Sequence, residues 1–129
     1  HNNRSAQFRL PQNRYCIENR AADLTMNVYL ALGMTISAAV EGIQNKIDPG
    51  KPSDFDLYTL KDEDMKKLGI RRLPRNLLQA TEELKKDKLA EKVLGKVMLN
   101  SYVKYKDDEW ERYHQSVTDW EVKEYLRLY

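Results

Sequence analysis

His1-Asn2-Asn3-Arg4-Ser5-Ala6-Gln7-Phe8-Arg9-Leu10-Pro11 and, four residues on, Cys16-Ile17-Glu18-Asn19-Arg20-Ala21 are the segments whose reading decides the fold. Both alternate polar and apolar residues, the pattern of half-buried strands. Side chains in a strand repeat every two residues, so Gln7 and Arg9 share one face and Phe8 and Leu10 the other. By the same rule Glu18 and Arg20 share a face. Pro11, Gln12, Asn13 and Arg14 supply turn chemistry between the two runs. The reading is an antiparallel β-hairpin carrying Arg4, Arg9, Glu18 and Arg20, a row of arginines with one carboxylate. Such a row suits a phosphorylated anion, because guanidinium groups bind phosphate or carboxylate in a bidentate way and keep their charge. Arg4 and Arg9 are an odd number of residues apart, so either Arg4 precedes the strand or a bulge lies between them.

Downstream the pattern turns helical. Residues 24–40 carry no charge. They are too short and too polar, with Thr25, Asn27, Thr35 and Ser37, for a membrane span of about 20 apolar residues. They read as a buried helix in which Gly33, Ala38 and Ala39 let neighbours approach, with Asn27 as N-cap and Asp48-Pro49-Gly50 as the stop. Residues 51–61 read as a loop and Lys61 to Leu68 as a short helix. Pro74 suits the first turn of another, with Leu77, Leu78, Thr81 and Leu84 on one face. Asp87 to Val93 reads as a helix broken near Gly95, and Val97 to His114 as a longer one. Thr118 and Glu121 form a capping box for a last helix ending in Tyr125, Leu126, Leu128 and Tyr129. The fold class is α+β: a short antiparallel β-hairpin over residues 1–22 followed by a mostly helical remainder, 23–129, within one domain.

Composition sets bounds. The chain has 129 residues, of which 33% are charged, and a net charge of +2. That balance gives no reason to expect nucleic-acid binding. The single Cys16 has no internal disulfide partner, and no signal peptide is visible. Both suit a reducing compartment, the cytoplasm. Cys16 itself reads as a buried structural thiol. His114 has no second ligand at metal-binding spacing and reads as a helix-surface residue. Lys66, Lys67, Arg71, Arg72 and Arg75 read as a solvated face, or as a seat for a neighbouring subunit.

In order and spacing these segments resemble the later part of the glutamine synthetase catalytic domain. The resemblance rests on Asn3-Arg4-Ser5-Ala6, Arg9, Glu18-Asn19-Arg20, Asn27-Val28-Tyr29-Leu30-Ala31 and Gly42-Ile43-Gln44-Asn45-Lys46-Ile47-Asp48-Pro49-Gly50. Asp56-Leu57-Tyr58, Leu73-Pro74 and Val117-Thr118-Asp119-Trp120-Glu121 extend it to the end of the chain. It implies the C-terminal part of a larger enzyme that joins ammonia or a small amine to the γ-carboxylate of glutamate through γ-glutamyl phosphate, using ATP and Mg²⁺ or Mn²⁺. Carried over position by position, Arg4 contacts ATP phosphates and the glutamyl group, and Arg9 contacts ATP phosphates. Arg20 contacts glutamate or its acyl phosphate, and Glu18 is a metal ligand, since hard oxygen donors suit such cations. Arg4 and Arg20 are thus the implied catalytic and substrate-binding residues. The parent is expected to be a homo-oligomer, with no nucleic-acid or membrane partner, and the chain alone is expected to be inactive.

The departures also carry information. The connection between the strands is shorter than in many family members, and Cys16 stands where a basic residue is usual, leaving Arg14 as a candidate replacement. Ile17-Glu18-Asn19-Arg20-Ala21-Ala22-Asp23 looks more like the branch containing γ-glutamylmethylamide synthetases, which leaves the amine open. Tyr58 lies where some bacterial relatives carry an adenylylated tyrosine, although an exposed loop ring is the plainer reading. Two other classes of function stay open on the residues alone. One is a noncatalytic helical interaction module, and the other is a nucleic-acid binder using residues 66–75, with strongly salt-dependent binding.

Overall fold

The computed structural model describes residues 3–126 and 128. They fall into two units, His1–Arg72 and Leu73–Tyr129. Tyr129, expected in the last helix, lies outside the described residues.

The first unit opens on the hairpin. Strands β1 (Phe8–Arg9) and β2 (Glu18–Asn19) pair antiparallel, with Phe8 opposite Asn19 and Arg9 opposite Glu18. The Arg20 N–H donates to the Gln7 carbonyl at 2.8 Å, which carries the ladder one residue further. Arg4 therefore precedes the strand proper, which settles the odd spacing. The expected burial is inverted, however. Phe8 and Leu10 are exposed, whereas the Arg9 and Glu18 side chains retain only 16% and 23% of their accessible surface. The two charges cover each other across the strands, while no described element closes over the apolar face.

Helix α1 (Val28–Gln44) starts where expected, because the Asn27 side chain accepts from the N–H groups of Tyr29 and Leu30. It ends earlier than Asp48-Pro49-Gly50. The Lys46 N–H donates to the Ile43 carbonyl and the Ile47 N–H to the Gly42 carbonyl, with Lys46 at φ 51°. This is a Schellman stop, which consumes the last orphan carbonyls before the proline is reached. A lysine in the left-handed region costs about 1 kcal/mol that glycine does not. Lys46→Gly is therefore expected to raise stability by about 1 kcal/mol, read as a higher urea midpoint at unchanged slope; a fall would contradict the cap.

The reading of α1 as a buried helix is corrected: it buries no residue. Tyr29, Leu32, Ile36, Val40 and Ile43 form one apolar stripe at helical spacing and are all exposed. A Cβ built on Gly33 meets nothing within 4 Å, and Ala38 and Ala39 are exposed, so the small residues serve no close approach here. The uncharged composition marks a face suited to cover, and nothing in the described unit supplies it. No helix is long and apolar enough to cross a membrane among the described residues.

A 3₁₀ turn (Leu57–Thr59) interrupts the loop read over 51–61, and helix α2 (Asp62–Lys67) follows, with Met65 buried. In the second unit, α3 (Leu77–Lys86) is capped by the Asn76 side chain, which accepts from the Gln79 N–H at 2.9 Å. Asn76 takes the capping role and places Pro74 ahead of the helix rather than in its first turn. Helix α4 (Lys88–His114) packs against α3. Thr81, Ala90 and Leu99 are buried in this unit, and Lys85 on α3 pairs with Asp107 on α4 at 3.1 Å. The break expected near Gly95 is there, at φ 74° and ψ 154°. Helix α5 (Asp119–Tyr125) carries the expected box, with Thr118 and Glu121 capping each other. His114 stacks on Trp110 with 5.5 Å between ring centres. The fold is thus a two-stranded antiparallel sheet with a mostly helical remainder.

Candidate functional site

The hairpin register brings Arg9 and Glu18 together as a cross-strand pair. The Arg9 Nη1 donates to Glu18 Oε2 at 2.8 Å, and Arg14 Nη2 reaches the other oxygen, Oε1. Two guanidinium groups on one carboxylate hold its pKa below the usual range, Arg9 contributing first and Arg14 second. The same contact raises the Arg14 pKa. Arg14, expected only as a replacement for a missing base, is thereby part of the cluster. It reaches Glu18 because the connection folds back, with the Cys16 N–H donating to the Arg14 carbonyl at 3.1 Å.

Glu18 offers hard oxygen donors of the kind that suit Mg²⁺ or Mn²⁺. Among the described residues no group of three or more His, Cys, Asp and Glu side chains comes together to hold a metal ion. Among those residues Glu18 stands instead between the guanidinium groups of Arg9 and Arg14.

Arg20 follows β2 and is exposed. Strand alternation puts it on the face of Glu18, with Arg9 opposite, so three of the four expected residues share one face. Arg4 sits elsewhere. It lines a cavity of about 520 Å³ with Asn3, Ser5, Asp54, Phe55, Asp56 and Tyr58. Tyr58 is 79% exposed in the 3₁₀ turn, and its N–H donates to the Asp56 carboxylate at 2.9 Å. The expectation for Cys16 is corrected: it is exposed. It lies in the connection between the strands, whose residues from Gln12 to Ile17 are all exposed.

Sequence reasoning missed the neighbours of Arg4. Asn3 Nδ2 donates to the carbonyls of Ser53 and Phe55 at 2.8 and 2.9 Å, and Ser5 Oγ accepts from the Leu57 N–H at 2.9 Å. Asn3 and Ser5 were visible in the Asn-Arg-Ser-Ala run, but nothing local signals a partner about fifty residues away. The basic stretch that begins in the last turn of α2 and continues beyond it is partly neutralised by that helix's own acids. Arg72 pairs with Asp62 at 2.8 Å and Lys67 with Asp64 at 3.5 Å, which favours the solvated-face reading.

Comparison with known proteins decides the family. The profile for "Glutamine synthetase, catalytic domain" matches residues 1–125. The chain belongs to the glutamine synthetase catalytic-domain family. A glutamine synthetase of Methanosarcina mazei is 38% identical over 98% of the chain and 29% of its own length. One from Methanocaldococcus jannaschii is 39% identical over 96% of the chain and 28% of its own length. A glutamate–methylamine ligase of Methyloversatilis universalis is 38% identical over 99% of the chain and 28% of its own length. The solved structure described as apo GmaS without ligand superposes with a TM-score of 0.76 at 30% identity, over 97% of this chain and 28% of that one. The chain thus spans less than a third of the length of these glutamine synthetase relatives.

Proposed function

We propose that this chain is the C-terminal part of the catalytic domain of an ATP-dependent glutamate–ammonia or glutamate–amine ligase. The observation that carries the reading is the match of the glutamine synthetase catalytic domain across residues 1–125, hairpin included. In the proposed reaction a γ-carboxylate oxygen of glutamate attacks the γ-phosphorus of ATP, and ADP leaves. The amine nitrogen then attacks the acyl carbon of γ-glutamyl phosphate, inorganic phosphate leaves, and the nitrogen gives up a proton. Arg4 and Arg9 bind ATP phosphates, and Arg4 and Arg20 hold the glutamyl group. These guanidinium groups neutralise charge on the transferring phosphoryl oxygens without changing protonation state. Glu18 contributes one oxygen ligand to Mg²⁺ or Mn²⁺. The parent is a cytoplasmic homo-oligomer.

The amine is ammonia or a small alkylamine. Relatives named for each are about equally similar to this chain. The test is ADP release by the full-length protein with ATP, Mg²⁺ and glutamate, supplied with ammonium, methylamine or no amine. Amine-dependent turnover is expected, and the faster amine is the substrate. The 129-residue chain assayed alone is expected to release no ADP, because no group of three or more His, Cys, Asp and Glu side chains comes together among its described residues to hold a metal ion. Turnover by the chain alone would refute that expectation. No turnover by the full-length protein with either amine would favour a noncatalytic interaction module.

A further inference from the structure

Arg4 is the one site residue that stands outside the hairpin ladder, yet the residues on either side of it are both fastened to the same loop. Before it, Asn3 Nδ2 donates to two carbonyls, Ser53 at 2.8 Å and Phe55 at 2.9 Å. After it, Ser5 Oγ accepts from the Leu57 N–H at 2.9 Å. The two fasteners are also joined to each other, since Asn3 Oδ1 accepts from the Ser5 N–H at 2.9 Å and from Ser5 Oγ–H at 2.6 Å. Every polar atom of the Asn3 amide is used by this network. The hydroxyl proton of Ser5 goes to Asn3, which leaves its oxygen lone pairs for Leu57. Arg4 itself is exposed and lines the cavity that Asp54, Asp56 and Tyr58 also line.

We infer that Asn3 and Ser5 are positioning residues that set the backbone of Arg4 against loop 53–59, so that its guanidinium is presented in one place to the ATP phosphates. The inference rests on the proposed role of Arg4. An arginine on an irregular segment otherwise loses rotational and backbone freedom when it binds an anion, and a misplacement of about 1 Å can cost about a hundredfold in rate. Two side chains clipped to backbone carbonyls and an amide remove the backbone part of that freedom in advance. The bonds are specific to the chemistry of the two residues. Asn3→Asp keeps the acceptor toward Ser5 and loses the donor to Ser53 and Phe55. Ser5→Thr keeps the hydroxyl, and Ser5→Ala removes it.

The experiment is a double-mutant cycle in the full-length enzyme, with the Michaelis constants for ATP and for the amine measured separately. Asn3→Asp and Ser5→Ala are each expected to lower kcat/KM for ATP at least tenfold, with KM for the amine unchanged, and Ser5→Thr to recover most of the loss. In an Arg4→Ala background, Asn3→Asp is expected to add less than a twofold further loss, because it acts through Arg4. Partial unfolding would instead reduce kcat and leave both Michaelis constants alone. If Arg4→Ala cripples ATP use and the Asn3 and Ser5 losses multiply with it, the positioning role is overturned and the role of Arg4 stands. If Arg4→Ala leaves ATP use intact, the role of Arg4 fails and the inference falls with it.

Discussion

Glu18→Ala and Arg20→Ala in the full-length protein are each expected to lower amine-dependent ADP release by at least a hundredfold. Removing one preorganised charge-stabilising group from a transition state costs on the order of 10² to 10³ in rate, and arginines acting on a transferring phosphoryl group are worth as much or more. The two variants are distinguishable. Arg20 is exposed and on the proposed reading touches the glutamyl group, so Arg20→Lys keeps the charge, loses the planar fork, and should recover only a small part of the rate. Glu18 has two relationships to separate, since Arg9 and Arg14 already bind both of its oxygens. As a metal ligand, its loss raises the Mg²⁺ concentration needed for half-maximal rate. As an ion-pair partner alone, its loss frees Arg9 and Arg14 without moving the Mg²⁺ dependence. Unchanged Mg²⁺ dependence in Glu18→Gln, with lowered stability, would leave Glu18 as a strut for Arg9. Full activity in Arg20→Ala would remove Arg20 from the site.

Gly95→Ala is expected to destabilise the chain by about 2 kcal/mol, within the range of about 1–3 kcal/mol for a residue forced into a glycine-only backbone region. Gly95 sits at the kink between the two helical runs of α4, at φ 74° and ψ 154°. A Cβ there meets no atom within 4 Å. The cost is therefore conformational, and no repacking of neighbours relieves it. Gly33 supplies the matched control: it too has open space around a built Cβ, but it lies in the interior of α1. Gly33→Ala is expected to stabilise by up to about 1 kcal/mol, since alanine gives up less entropy in a helix. Urea unfolding followed by far-ultraviolet circular dichroism reads both. Opposite signs for the same substitution support a built-in break. A gain in both stability and helix signal for Gly95→Ala would mean that α4 straightens at no cost.

What the residues declared in advance were the features set by near neighbours in the chain. Asn27 and the Thr118–Glu121 pair cap the helices they precede, because a side-chain acceptor two or three residues from an orphan N–H needs no help from the rest of the molecule. Gly95 broke its helix for an equally local reason. Pro74 lies two residues ahead of the N-cap, Asn76, whose side chain accepts from the Gln79 N–H and sets the start of α3 at Leu77. Burial was another matter. The apolar stripe of α1, the face of Phe8 and Leu10, and Cys16 all carry compositions that suit cover, and none is covered by the described elements. Composition states an affinity for cover, whereas burial needs a partner, and the chain spans under a third of the length of its relatives. In the site, the shared face of Glu18 and Arg20 was legible from strand alternation, whereas the register that sets Arg9 opposite Glu18 was not. Nor was the fastening of Arg4 to loop 53–59, since it joins residues fifty positions apart.

That separation also orders events in time. Asp87 ends α3 and caps α4, so the α3–α4 pair closes through a single shared residue and forms from contacts short in sequence. Such local assembly is fast. Bringing Asn3 to Ser53 requires closure of a fifty-residue loop, whose length-dependent entropy alone is about 3.5 kcal/mol. The clip around Arg4 therefore belongs to the late stage of folding. In the nascent chain its first half leaves the ribosome well before its second, and the arginine waits unplaced until loop 53–59 has emerged.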